Sequence, residues 1–177
     1  MFGVLAAGKS SSVQAKKLND FLSTPMPTKD QVLDPSAEPS PFGWLSALKA
    51  EDLIGPMARR HKLGKYTRVV LPCFRSLAEK PVDVMDTGLE ELKAIPGVGP
   101  KTAEFFLLHT DEGFCGAALD THILDWLGGQ GYEVPDASPQ GEQDYARLRR
   151  ACREEARKRG MTTAELDSII WKSKSKS

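Results

Sequence analysis

Neither sign of charge is in excess in this chain, where 24 Lys and Arg stand against 24 Asp and Glu in 177 residues. That balance excludes a protein that coats any polyanion through its overall field, so contact with nucleic acid has to be built from a local patch. Cysteine is scarce as well. Cys73, Cys115 and Cys152 are widely separated and form no C-x-x-C pair, so neither a disulfide framework nor a thiolate metal site is encoded. A reducing cytoplasm fits best. Long apolar runs are missing: MFGVLAAG at the N-terminus has no basic leader, is too short to span a bilayer and ends at Lys9. It reads as a core helix, and no membrane contact is expected. Also absent are internal repeats and any run alternating as a half-buried strand does.

What the sequence has is helical spacing of apolar residues through most of its length, so the expected fold class is all-α. At this size the chain suits one domain or two small lobes sharing a cleft. Helices are expected over residues 2–7, 12–22, 41–49, 51–61, 65–79, 89–94, 100–110, 121–127, 140–159 and 164–171. Thr87 with Glu90, and Thr162 with Glu165, have capping-box spacing. Gly160 should stop the long basic helix, and Pro72 should kink or split the helix it falls in. STPMPTKDQVLDPSAEPSP and QGYEVPDASPQGEQD read as surface loops, the first as the best candidate for mobility, and residues 173–177 as a disordered tail.

One stretch stands out: LEELKAIPGVGPKTAEFFLLH, two apolar helical segments joined by a turn with two glycines and a lysine just after it. Gly97 and Gly99 can take backbone angles that cost other residues energy and let a ligand come close to the backbone. Pro100 suits the first helical position. Amides around Val98, Gly99 and Lys101 would point outward near the positive end of the next helix dipole, an anion site that a DNA phosphate fits. The same residues equally describe a tight turn between two helices. Lys101 falls in the first turn of that helix, where its charged form is disfavoured, as a nucleophilic amine requires. The plain alternative is a solvated helix lysine. Asp120 precedes THIL, where an N-cap belongs, and a capping carboxylate fixed in place can still stabilise a cation. His122 suits packing or support of a pocket.

MARRHKLGKYTR gathers Arg59, Arg60, Lys62, Lys65 and Arg68 around a second glycine turn with no acid among them, the local patch that a neutral chain needs for phosphates. The basic run 147–159 also carries Glu154 and Glu155 and reads as a mostly solvated face. Phe2, Phe42, Trp44, Trp126 and Trp171 are candidates for aromatic walls, although each suits a core equally well.

LKAIPGVGPKTAEFFLLHT followed by ALDTHIL resembles the helix-hairpin-helix DNA glycosylases, the superfamily of endonuclease III and 8-oxoguanine glycosylase. The likeness is strong over residues 89–127 and extends more loosely over 2–79, through helix order and GKYTRVV. It implies a single glycosylase-like domain over residues 1–172, two helical lobes around a cleft, with the hairpin at 89–110. It also implies double-stranded DNA as partner, gripped by Gly97, Val98, Gly99, Lys101 and Thr102, and a monovalent cation at the hairpin backbone of Ile95 and Val98. The damaged or modified base is turned out into the cleft. By resemblance Lys101 attacks the sugar and Asp120 assists base departure, giving a glycosylase with associated AP lyase activity and no other cofactor.

The chain departs from that pattern in two places. Endonuclease III carries a four-cysteine iron-sulfur cluster, whereas the corresponding part here has only Cys152, so no cluster is expected. Where several relatives have a glutamine that fills the vacated base stack, this chain reads AAGKSSS, leaving Gly8 and Lys9 as candidates beside Phe42, Trp44 and His122 for the base pocket or wedge. The compact form suggests a monomer acting at the nucleoid, or in a host cytoplasm if phage-encoded. Two other functions suit the same residues: a phage-type enzyme that modifies bases in DNA, and a noncatalytic hairpin that only binds DNA.

Overall fold

The computed structural model describes residues 11–38, 40–63, 67–83, 86–139 and 141–174. The expected helix 2–7, Phe2, Gly8, Lys9, the turn at Gly64, and Lys65 lie outside the described residues. Those described are mostly helical, as expected, with nine α-helices, one short 3-10 turn and one two-stranded sheet. The chain divides into two compact units, Met1–Thr87 with Ala94–Val98, and Gly88–Lys93 with Gly99–Ser177.

In the first unit α1 (Ser11–Ser23) is followed by β1 (Met26–Pro27), β2 (Val32–Leu33) and the 3-10 turn Pro35–Ala37, then by α2 (Pro41–Ala50), α3 (Ile54–Arg60) and α4 (Thr67–Glu79). The strands are a finding within a stretch read as loop. They pair antiparallel, Met26 with Leu33 and Pro27 with Val32, and Thr28 closes the turn by accepting from the Gln31 amide at 3.1 Å. Two residues per strand are too few to leave an alternating signature. Ser40 caps α2, its hydroxyl accepting from the Gly43 amide at 3.1 Å, and Pro41 sits at the first helical position.

The core of this unit is Phe21, Trp44, Leu45, Leu48, Ile54, Met57, Phe74 and Leu77, all buried. Each such side chain contributes roughly 1.5–3 kcal/mol by leaving water. Phe21 packs tilted on Phe74 at 5.3 Å, and its carbonyl accepts from Trp44 Nε1 at 3.2 Å. Of the two expected outcomes at Pro72, the split does not occur, since α4 runs through it. Pro72 is exposed, whereas Val70, Cys73, Phe74 and Leu77 hold the opposite face in the core.

The second unit holds α5 (Leu89–Lys93), α6 (Pro100–Thr110), α7 (Thr121–Gly129), α8 (Glu142–Lys158) and α9 (Thr163–Lys174). Helix α8 buries Tyr145, Leu148, Ala151, Cys152 and Ala156 along one stripe, against Leu119, Ile123, Leu127, Leu166 and Ile170. Gly160, at φ +68°, ends it as expected: its amide donates to Arg157 O and that of Met161 to Ala156 O. The Thr162–Glu165 capping box forms, with Glu165 N to Thr162 Oγ1 at 3.1 Å and Thr162 N to Glu165 Oε2 at 2.8 Å. Helix α9 packs on α6, α7 and α8 and reaches Lys174, into the stretch expected as a tail.

The capping box expected from Thr87 and Glu90 is not formed. Thr87 donates its hydroxyl to the Asp83 carbonyl, and it is Glu91 that accepts from the Gly88 amide, at 3.2 Å. The helix starts at Leu89, so Glu91 rather than Glu90 holds the third helical position.

Candidate functional site

The glycine turn closes through Val98 N donating to Ile95 O at 3.0 Å, with Pro96 and Gly97 between them and Gly97 at φ +83°. This is the arrangement in which a proline and then a left-handed glycine fill the two central positions. A second constraint acts on Gly97: a Cβ there would lie 2.4 Å from Val69 Cγ1 and 3.2 Å from Val69 O. Its missing side chain therefore serves the turn and the packing of α4. The Val98 amide, expected to face an anion, is consumed by the turn.

Gly99 is different. It is the N-cap of α6 at φ −85°, an angle open to any residue, and a Cβ there would meet nothing within 4 Å. No side chain caps the helix, and the first amides of α6 have no carbonyl one turn back to bond. Gly99, Lys101 and Thr102 thus present backbone donors at the positive end of an 11-residue helix, with open space in front of Gly99. Lys101 and Thr102 are half-buried.

Asp120 caps α7 as expected, Oδ1 accepting from the Ile123 amide at 2.9 Å, and is only 7% exposed. What fixes it is the irregular stretch before it. Residues 116–119 belong to no helix or strand, so side chains meet much of their backbone. Glu104 of α6 accepts from Ala117 N at 2.7 Å; the Tyr145 hydroxyl donates to Ala117 O at 2.9 Å and accepts from Leu119 N at 3.3 Å; Ser138 donates to Leu119 O. Arg149 in turn neutralises the fully buried Glu104. Arg149 comes from the helix read as a solvated basic face. The run is otherwise mostly solvated as expected, Arg147, Arg150, Arg153, Arg157, Lys158 and Arg159 being exposed, although Lys158 and Arg159 also bond a buried carboxylate, Glu155.

Two further groups in this unit carry charge into the same region. Asp167 of α9 is buried, and its Oδ2 lies 3.4 Å from Nε2 of His109 at the end of α6. Burial foremost pushes the Asp167 carboxyl up, to about 6; the Asp120 charge pushes the same way, while His109 and Lys101 oppose it. Lys101, Asp120, His109 and Asp167 are therefore electrostatic neighbours. Sequence reasoning missed Asp167 and His109. The available sign was a carboxylate lying between Thr163, Leu166 and Ile170 on the buried stripe of an amphipathic helix.

The remaining expected residues lie in the first unit or elsewhere in the second. Arg59, Arg60, Lys62 and Arg68 are exposed, and Lys17 joins this basic surface by donating to Lys62 O at 3.2 Å. Lys62 takes the left-handed region at φ +51°. Trp44, a candidate pocket wall, is instead 1% exposed in the core, and Phe42 is half-buried beside it in sequence. Trp126 lies under the Arg159 guanidinium at 4.9 Å. His122, just after Asp120, meets Trp171 edge to face at 5.0 Å, and Trp171 is 39% exposed.

A family model for the helix-hairpin-helix motif matches residues 81–109, covering α5, the glycine turn and nearly all of α6. The chain carries a helix-hairpin-helix motif. That motif supports DNA binding. No solved structure matches the chain. Among the described residues, no helix is long and apolar enough to cross a membrane.

Proposed function

We propose that this helix-hairpin-helix protein is a DNA base-excision glycosylase acting on a damaged or modified base flipped out of duplex DNA, with associated strand cleavage through a Schiff base. The observation that carries the reading is the company kept by Lys101: it stands in the first turn of the motif's second helix and shares an electrostatic neighbourhood with two buried carboxylates, Asp120 and Asp167. A module that only holds phosphate has no use for buried negative charge beside its cation.

In this reading the amides of Gly99, Lys101 and Thr102 fix a backbone phosphate. The Ile95 and Val98 carbonyls are neutral oxygen donors of the kind that suits a monovalent ion; Ile95 O keeps one lone pair beyond its bond to Val98 N. Such an ion would reinforce the turn electrostatically. The Lys101 amine forms a bond to C1′ of the flipped nucleotide as the glycosidic bond breaks, its electron pair leaving with the base. The nitrogen gives up one proton, which the base takes; the C1′–O4′ bond then breaks with its electron pair on O4′, which takes a proton from water, leaving a protonated imine at C1′. Loss of the C2′ proton then expels the 3′ phosphate with the C3′–O electron pair. Asp120, held by its cap, stabilises the cation that develops on the sugar.

Borohydride trapping against duplexes that each hold one altered base tests the reading. The wild type should give a covalent protein–DNA adduct on at least one duplex, and Lys101→Gln should lose it while binding DNA within about twofold. An undiminished adduct from the Gln variant would assign the chemistry to another amine. Base release without an adduct would mean that water is the nucleophile, and neither on any duplex would refute base excision.

A further inference from the structure

The least explained group in the second unit is the Asp167 carboxylate. It is 4% exposed, and its Oδ1 is buried with no hydrogen-bond partner. It lines a cavity of about 10 Å³ whose other walls are mainly apolar, among them Leu108, Ala117, Ile123 and Cys152. Its only hydrogen-bond partner among the described residues is His109, at 3.4 Å and itself 37% exposed on its side chain, so the pair is loose. Asp167 caps nothing, because Thr162 and Glu165 already satisfy the start of α9 and Asp167 is the fifth residue of that helix. A buried carboxylate left half-satisfied costs stability that an apolar residue of similar size would not.

The groups facing Asp167 show what the charge does. Helix α6 presents His109 and Lys101, α7 presents Asp120 at its start, and α8 presents the thiol of Cys152, which burial foremost pushes up to about 12 and so keeps neutral. The Asp120 charge therefore opposes ionisation of Asp167, while His109 and Lys101 favour it.

We propose that Asp167, steadied by His109, is a positioning residue of this site: a second buried carboxylate whose negative charge adds to that of Asp120 in stabilising the cation formed at Lys101. This rests on the base-excision reading above. Asp167 is not consumed; it accepts no bond from substrate and acts through its charge on the lysine nitrogen and the sugar. Being charged only above its own titration, it makes the reaction faster as pH rises through that point, and His109 sets where the point lies.

Two measurements on the full chain test this. The first uses no substrate. In ¹³C-carboxyl NMR, the Asp167 titration midpoint should fall in Asp120→Asn, where an opposing charge is lost, and rise in His109→Gln and in Lys101→Gln, where supporting charges are lost. The second is single-turnover base release against pH. Asp167→Asn should bind DNA as the wild type does, lose the acid limb and drop about tenfold at the plateau, whereas His109→Gln should keep the limb and move it to higher pH. A midpoint that stays put in all three variants overturns the proposal, as does an Asp167→Asn profile with wild-type shape and height. Midpoints that move as stated in a protein releasing no base would sustain the charge coupling and defeat base excision.

Discussion

Arg149 of α8 meets Glu104 of α6 across 45 residues of sequence, its Nε lying 2.9 and 3.1 Å from the two carboxylate oxygens. The carboxylate is fully buried and also holds the Ala117 amide. The pair therefore fixes the stretch that leads into Asp120, three residues further along the chain.

Glu104→Gln should cost about 3 kcal/mol, because it leaves a guanidinium whose side chain is only 16% exposed with the exposed Glu142, at 3.8 Å, in place of a buried carboxylate. Pairing it with Arg149→Met should restore much of the loss. Urea unfolding of the three variants checks this; a single-variant loss below about 1 kcal/mol would show that the ion pair is incidental.

Asp120→Asn separates the cap from the charge. Asparagine caps as well as aspartate, so the Ile123 amide stays satisfied and stability should change by under about 0.5 kcal/mol. Single-turnover base release should fall by about 100-fold or more at unchanged DNA affinity. A folded Asn variant with wild-type rate would leave Asp120 a cap alone.

The two glycines of the turn should respond in opposite ways. Gly97→Ala meets Val69 and a left-handed backbone, and should lose roughly 2 kcal/mol or more of stability. Gly99→Ser meets nothing and supplies the missing cap, so it should gain a few tenths of a kcal/mol. The same hydroxyl occupies an amide offered to phosphate, so Gly99→Ser should bind every duplex less tightly. Thermal midpoints and binding isotherms decide; a Ser variant that is stabler and binds undiminished would remove those amides from the DNA interface.

Asp167 should leave a mark on stability. Its carboxyl is raised from 3.8 to about 6. Between those values the folded chain keeps a proton that the unfolded chain has lost, so its contribution to stability falls as pH rises through the window. At about 1.4 kcal/mol per pH unit the change is roughly 2–3 kcal/mol. Asp167→Asn should therefore gain on the wild type by about that much between pH 4 and pH 7 in denaturant midpoints. A constant difference across the range would contradict the shift.

Much of this architecture could be read from local signals. Gly160 and the Thr162–Glu165 pair act within one helical turn, as do Pro96 and Gly97 in the hairpin, and each stands where the sequence pattern put it. Thr87 misled because its hydroxyl had two acceptable fates, and the Asp83 carbonyl took it. What local pattern could not convey was the pairing of groups far apart in sequence. Arg149 looked like one more exposed arginine until α8 laid it on Glu104. His109 and Asp167 come together only once α9 docks on α6. Trp44 and Trp126 were equally ambiguous, because an indole suits a core or a pocket until its neighbours are known.

The stretch that sets Asp120 is held by Tyr145, by Ser138 and, through Glu104, by Arg149, all but Glu104 lying later in the chain than the residue they position. During synthesis from the N-terminus, the hairpin and Lys101 emerge well before the clamp that fixes the carboxylate. The Asp120 carboxylate is therefore set only once α8 has folded onto the stretch before it. The order of the sequence thereby acts as a timer on the placement of that group.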